Sequence, residues 1–137
     1  MKVYFAGSIR GGRQKVNDYQ KMVEAFEKSY AEVLTKHVAD PSLSANGENI
    51  SLEEIYKRDI NWLKECDIVF ADITVPSLGV GYELAYAESL GKHIYAVYEE
   101  GANVSSFIRG NKNIEFFEYS DIEQVVNRIY GICSYGV

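Results

Sequence analysis

The run DIVFADI at residues 67–73 is apolar at almost every position. A strand with one wet face alternates apolar and polar residues. A strand without that alternation is covered on both faces, as in a parallel sheet with helices on either side. Four more short runs fit strands: KVYFAG (2–7), EVLTKHV (32–38), KHIYAVYE (92–99) and IEFFEY (114–119). Helical spacing fills the gaps between them. Val16, Tyr19, Met22, Val23, Phe26 and Tyr30 recur every three or four residues and mark a helix over about 13–30. Ser51 with Glu54 fits a capping box opening a helix that runs to about Glu65. A further helix runs from about Gly81 to Leu90 and ends at Gly91, and Ile122, Val125, Val126 and Ile129 mark the last one. DPSLSANGENI (40–50) and TVPSLGVG read as loops, and 101–113 as a loop or short helix.

Strand and helix therefore alternate along one chain, the pattern of a doubly wound α/β fold. Five strands predict a flavodoxin-like or Rossmann-like parallel sheet of order 2-1-3-4-5, with helices on both faces, in a single domain over 1–137. Such folds bind ligands beyond the carboxyl ends of the strands, here between strands one and three.

Hydrophobic residues make up 47% of the chain and support a full core. The net charge of −6 argues against nonspecific nucleic-acid binding, although a local pocket can still hold a small anion. The eleven tyrosines suit half-buried strand positions. Cys66 and Cys133 are far apart and read as reduced core thiols, with no disulfide and no zinc site. No apolar stretch nears the ~20 residues that span a bilayer, and no signal-peptide pattern is visible, so the expected location is cytoplasmic.

The ligand edge gathers several candidates. After strand one, GSIRGGR leads into a helix whose free N–H groups favour an anion. Taken alone, the same turn is also a plain strand-to-helix connection with solvated arginines. After strand three come Asp72, Ser77 and Gly79, then Glu83 in the first turn of the next helix. There the helix dipole keeps Glu83 ionised, as suits a nucleophile or merely a dipole-complementing carboxylate. Asp59 shares a helical stripe with Leu52, Tyr56 and Leu63, so desolvation is expected to raise its pKa and suit it to donate a proton. The competing reading is a pair with Lys57 or Arg58, which the helical spacing points elsewhere. Asp72 either takes part in chemistry or orients a loop. His37 ends strand two on the ligand side, and His93 begins strand four at the opposite edge in a structural place.

With these residues assembled, the chain resembles the nucleoside 2-deoxyribosyltransferase superfamily, and within it the 2'-deoxynucleoside 5'-phosphate N-hydrolase branch. YFAGSIRGGR, RDINWLKECDIVFADITVPSLGVGYELA and SFIRG carry the likeness, which covers nearly the whole chain in order. The resemblance implies cleavage of an N-glycosidic bond, with Glu83 as nucleophile at C1', Asp59 as the second carboxylate and Tyr4 assisting at the sugar. It places Gly7, Ser8, Ile9 and Arg10 around the nucleotide, His37 near the base, and Ser77 and Gly79 at the 5'-phosphate. It implies a homodimer in which Ser105 reaches the neighbouring subunit's phosphate, and no cofactor or metal. Where relatives acting on unphosphorylated nucleosides carry Asp-x-Gly-x-x-x-Glu, this chain has Ser77-x-Gly79-x-x-x-Glu83, and a serine suits a phosphate where an aspartate repels it. A deoxynucleoside 5'-monophosphate is thus the expected substrate. The alternatives are a base-exchanging deoxyribosyltransferase, a ribonucleotide N-glycosidase of CMP type, and a nucleotide sensor without turnover.

Overall fold

The computed structural model describes residues 1–135, so Gly136 and Val137 of the expected domain lie outside the described residues. Five strands form one sheet: β1 (Lys2–Ala6), β2 (Glu32–Val33), β3 (Ile68–Asp72), β4 (His93–Glu99) and β5 (Ile114–Tyr119). Their order is β2-β1-β3-β4-β5 and every pair is parallel, as the sequence pattern predicts. The connecting helices are α1 (Val16–Lys28), α2 (Leu52–Glu65), α3 (Leu78–Ser89), α4 (Ser106–Arg109) and α5 (Ile122–Tyr135).

Alternation along β1 sorts its side chains between two cores. Val3 and Phe5 pack with Tyr19, Met22, Phe26 and Ile129 under α1 and α5. Tyr4 and Ala6 pack with Leu63, Leu84 and Ala87 under α2 and α3. The second face is the one that receives the catalytic candidates, because Asp59 lies on α2 and Glu83 on α3. No helix among the described residues is long and apolar enough to cross a membrane.

Three expectations need correction. The second strand is two residues long, not seven. Leu34 N–H still donates to the Val3 carbonyl at 2.9 Å, but at the next position a side chain takes over the ladder. The Thr35 hydroxyl accepts from Phe5 N–H at 2.9 Å and donates to the Phe5 carbonyl at 2.6 Å. With Phe5 satisfied, the chain leaves the sheet and Lys36–Ala39 wind into a 3-10 turn that carries His37. The tyrosines are not chiefly half-buried strand residues. Only Tyr4, Tyr95, Tyr98 and Tyr119 lie on strands, while Tyr30, Tyr56, Tyr82, Tyr130 and Tyr135 are exposed. Finally, α3 starts at Leu78, earlier than Gly81, because the Ser77 hydroxyl caps it by accepting from Val80 N–H at 3.3 Å.

Thr35 is fully buried, so replacing its hydroxyl strands two backbone groups of β1. Thr35→Val is expected to cost about 2–4 kcal/mol in urea unfolding, and Thr35→Ser under about 1.5 kcal/mol.

Candidate active site

Glu83 sits in the second turn of α3, beneath the helix start. A Cβ built on Gly79 would lie 3.8 Å from both the Glu83 carboxyl and the Ser77 hydroxyl, so these three residues form one tight group. The Tyr4 hydroxyl faces the Glu83 carboxyl from the sheet, and the Asp59 charge acts on both groups from α2. Burial is the main force on Glu83 and, aided by the Asp59 charge, pushes its pKa up to about 8 against the favourable Tyr4 hydroxyl. The expected dipole-lowered carboxylate is therefore overturned. The earlier start of α3 moves Glu83 past the first turn, where the dipole acts, and its surroundings desolvate it. Burial likewise holds the Tyr4 phenol neutral far into the alkaline range.

Asp59 is raised by burial, as expected, but not through its apolar stripe. Leu52 is 75% exposed and Tyr56 54% exposed, and among the expected stripe's apolar members only Leu63 is buried. Asp59 also does pair with its neighbour: Arg58 donates to Asp59 Oδ1 through Nε at 3.0 Å and Nη2 at 2.9 Å. Helical spacing sends the two Cβ atoms apart, and the long arginine stem curls back. The same guanidinium donates to both Glu48 oxygens, Nη1 to Oε1 at 2.7 Å and Nη2 to Oε2 at 2.8 Å. Its flat face covers Trp62 at 4.7 Å from the ring centroid. His37 joins this group, its Nε2 3.5 Å from Glu48 Oε1 and 3.4 Å from Arg58 Nη2. Burial lowers the His37 pKa and keeps the ring neutral near pH 7.

The glycine-rich turn divides its labour. Gly7 is fixed by packing, since a Cβ there would come within 2.9 Å of the Tyr19 ring. Tyr19 in turn accepts the Ser8 N–H at 3.0 Å. Gly11 lets the turn close on the next loop: a Cβ there would stand 2.4 Å from the Pro76 carbonyl and 2.8 Å from Ser8 Oγ. That Ser8 hydroxyl is fully buried and has no hydrogen-bond partner among the described residues. A buried, unpaired donor at the meeting of both ligand-edge loops suits a polar ligand atom. Ile9 turns its side chain into the α1 core, leaving its backbone at the turn. Arg10 is exposed and lies against Gly47, where an added Cβ would stand 3.1 Å from its guanidinium.

Nothing in the sequence singles out Arg13, Glu48 or Trp62, and Arg58 enters there only as a rival partner for Asp59. Arg13 donates to the carbonyls of Ser8, Leu43 and Asp40 and ties the turn to the 40–50 loop. Asp72 is fully buried, accepting from Thr74 N–H and Tyr119 hydroxyl at 2.8 Å each, so it orients the loop before α3. Ser105 lies exposed at the start of α4, away from any cap bond. His93 sits at the opposite edge, against Glu115 and Tyr95.

The fold is that of a known group. The nucleoside 2-deoxyribosyltransferase family model matches residues 3–128, and the chain belongs to that family. A relative in Tetraodon nigroviridis named 5-hydroxymethyl-dUMP N-hydrolase is 41% identical over 139 residues, covering 95% of this chain and 97% of that protein. A mouse protein of the same name is 39% identical over 137 residues, covering 93% and 79%. Among solved structures, a Clostridium botulinum CMP N-glycosidase superposes with a TM-score of 0.71 at 22% identity, covering 94% of this chain and 98% of that one. A 2-deoxyribosyltransferase of Bacillus psychrosaccharolyticus superposes at 0.68 and 20% identity, covering 93% and 91%.

The raised Glu83 carboxyl has a cost for stability. Between about pH 4.5 and 8 the folded protein holds a proton that the unfolded chain has lost. Stability therefore falls as pH rises through that window. Glu83→Gln, always neutral, is expected to raise Tm by roughly 5 °C near pH 9 and to change it little near pH 5, read by thermal melts across pH.

Proposed function

We propose that the protein hydrolyses the N-glycosidic bond of 2'-deoxynucleoside 5'-monophosphates, releasing the base and 2-deoxyribose 5-phosphate. The observation that carries this reading is the arrangement of Glu83, Tyr4 and Asp59 beneath a helix start free to take a phosphate. The free N–H groups at the start of α3, with Ser77 as its cap, suit the 5'-phosphate. The unpaired Ser8 hydroxyl supplies a further donor at the nucleotide turn. A nucleotide held this way brings C1' to Glu83 and its base toward Asp59 and His37.

The chemistry follows from the shared proton. Near neutral pH the two carboxyls hold one proton, which favours Glu83 in the free enzyme. As positive charge develops at C1', it stabilises the Glu83 carboxylate and the proton passes to Asp59. Glu83 forms a bond to C1' as the C1'–N bond breaks, and the base leaves with the bonding pair and the Asp59 proton. Water then attacks C1', gives a proton to Asp59 and frees Glu83. The neutral Tyr4 phenol holds the nucleophile in place.

A second copy completes the site in this reading. Leu52 and Tyr56 on α2, Leu78 and Tyr82 on α3 and Phe107 on α4 are all exposed, Leu78 and Phe107 nearly completely. Helix α4 rests on α3, with the Ile108 Cδ1 atom 4.0 Å from a Cβ built on Gly81. This apolar surface beside the phosphate end suits a homodimer in which Ser105 serves the neighbouring site. The two cysteines are free, in keeping with a reducing compartment such as the cytoplasm.

Purified protein is expected to release free base and 2-deoxyribose 5-phosphate from deoxynucleoside monophosphates, 5-hydroxymethyl-dUMP included, and nothing from deoxyguanosine or GMP. Chromatography of the products checks this, and a new nucleoside formed only with an added acceptor base would instead make the protein a transferase. Glu83→Ala is expected to lower kcat at least about a thousandfold while nucleotide still binds. Phe107→Asp is expected to give monomers by light scattering, with activity lost, the far-UV circular dichroism spectrum retained and Tm lowered as the dimer's stabilisation is removed.

A further inference from the structure

Glu48 stands in the 40–50 loop, has no hydrogen bond to Glu83 or Asp59, and yet makes a two-pronged ion pair with Arg58 beside them. Its side chain is 15% exposed and that of Arg58 25%. The guanidinium between them is held on three sides. One edge takes Glu48 in a two-pronged pair, the other takes Asp59, and the flat face covers Trp62. We propose that Glu48 is a positioning residue for catalysis: by sharing the Arg58 charge, it leaves Asp59 able to carry the proton that the departing base needs. The inference rests on the reading of Asp59 as proton donor given above.

Electrostatics and geometry act together here. An arginine paired with a single carboxylate locks that carboxylate in its charged form. Arg58 with Asp59 alone would do this and remove the acid. Two carboxylates on one guanidinium divide its hydrogen bonds, and the charge of Glu48 offsets part of the Arg58 field at Asp59. The groups facing Asp59 come from every neighbouring element: Arg58 on α2 itself, Glu48 in the loop, His37 on the 3-10 turn, Tyr4 on β1 and Glu83 on α3. Of these only Arg58 is a cation near neutral pH, since burial keeps His37 neutral. Glu48 therefore relieves part of the effect of Arg58 on the proton affinity of Asp59. Burial raises that affinity and Arg58 opposes it.

The same pair fixes the loop. Glu48 neighbours Gly47, which lies against Arg10, and Arg13 grips the loop's other end at Asp40 and Leu43. A purely mechanical clamp would make Glu48 matter for nucleotide affinity alone. The proposed role makes it matter for the protonation of Asp59, and the two can be told apart.

The experiment follows the Asp59 carboxyl carbon by NMR as pH is varied, beside the pH profile of kcat/KM on a deoxynucleoside monophosphate. In Glu48→Gln the Asp59 midpoint is expected to fall by about one pH unit, and kcat/KM at neutral pH roughly tenfold, with the limb on which the two carboxyls lose their shared proton moving to lower pH. Arg58→Gln is expected to raise the midpoint, and the double variant to follow Arg58→Gln. An unmoved Asp59 midpoint in Glu48→Gln, or a higher KM with an unmoved profile, overturns the proposal. Should Glu48→Gln not fold, an unmoved midpoint in Arg58→Gln overturns it equally. Asp59→Asn separates the donor reading from the role of Glu48. Full activity in that variant defeats the donor reading itself, whereas loss of activity there with no effect of Glu48→Gln defeats only this inference.

Discussion

Tyr4 lies in the middle of a strand whose two faces are both covered, so its hydroxyl must meet something polar or remain costly. Its neighbours in β1, Val3 and Phe5, fill the α1 core, and alternation leaves Tyr4 pointing the other way. On that side α3 supplies the partly buried Glu83, whose carboxyl faces the buried Tyr4 phenol. The location of the reactive pair is thus decided by strand parity. Shifting β1 by one residue would send the phenol into the α1 core and leave Glu83 beneath an apolar wall.

Desolvation, not the helix dipole, then decides the charge on Glu83. The dipole acts over about one turn, and the Ser77 cap places Glu83 beyond it. Asp59 meets a different balance, because Arg58 reaches it and Glu48 shares Arg58. Two carboxyls with one proton between them, each pulled by a different environment, are what the proposed acid-assisted displacement at a sugar carbon requires.

The sheet order and the connecting helices were legible in the sequence because buried parallel strands and amphipathic helices have distinct periods. Ser51 was legible as a cap, and its hydroxyl does accept from Glu54 N–H at 3.1 Å. The short β2 was not, because Thr35 imitates a strand residue in sequence while its side chain replaces the ladder in space. The start of α3 was misread because Gly79 and Gly81 look like loop residues, and only the Ser77 cap reveals the helix. The stripe Leu52–Tyr56 has core periodicity but faces outward, as a surface awaiting a partner does. Glu83 and Asp59 stood out as candidates from their helix positions as well as by resemblance to known sequences, and Tyr4 by resemblance alone. Glu48 had no local signal at all, since its meaning depends on an arginine in a different element.

The opposition between an acidic chain and the anionic substrate proposed for it also finds its place. The basic turn does not use its arginines as a plain cationic patch. Arg13 is committed to three carbonyls, Arg10 lies against Gly47, and Arg58 is shared by two carboxylates. Besides the exposed Arg10, the groups left unbonded at the ligand edge are main-chain N–H groups at the start of α3 and around the glycine turn, with the buried Ser8 hydroxyl between the two loops. Backbone donors carry no full charge and need no counterion, so they hold an anion without raising the field that Arg58 already exerts on Asp59. A lysine or arginine placed at the phosphate would bind more tightly and also stabilise the charged forms of both carboxyls. In the proposed reaction, recognition by dipoles leaves the shared proton where the chemistry needs it.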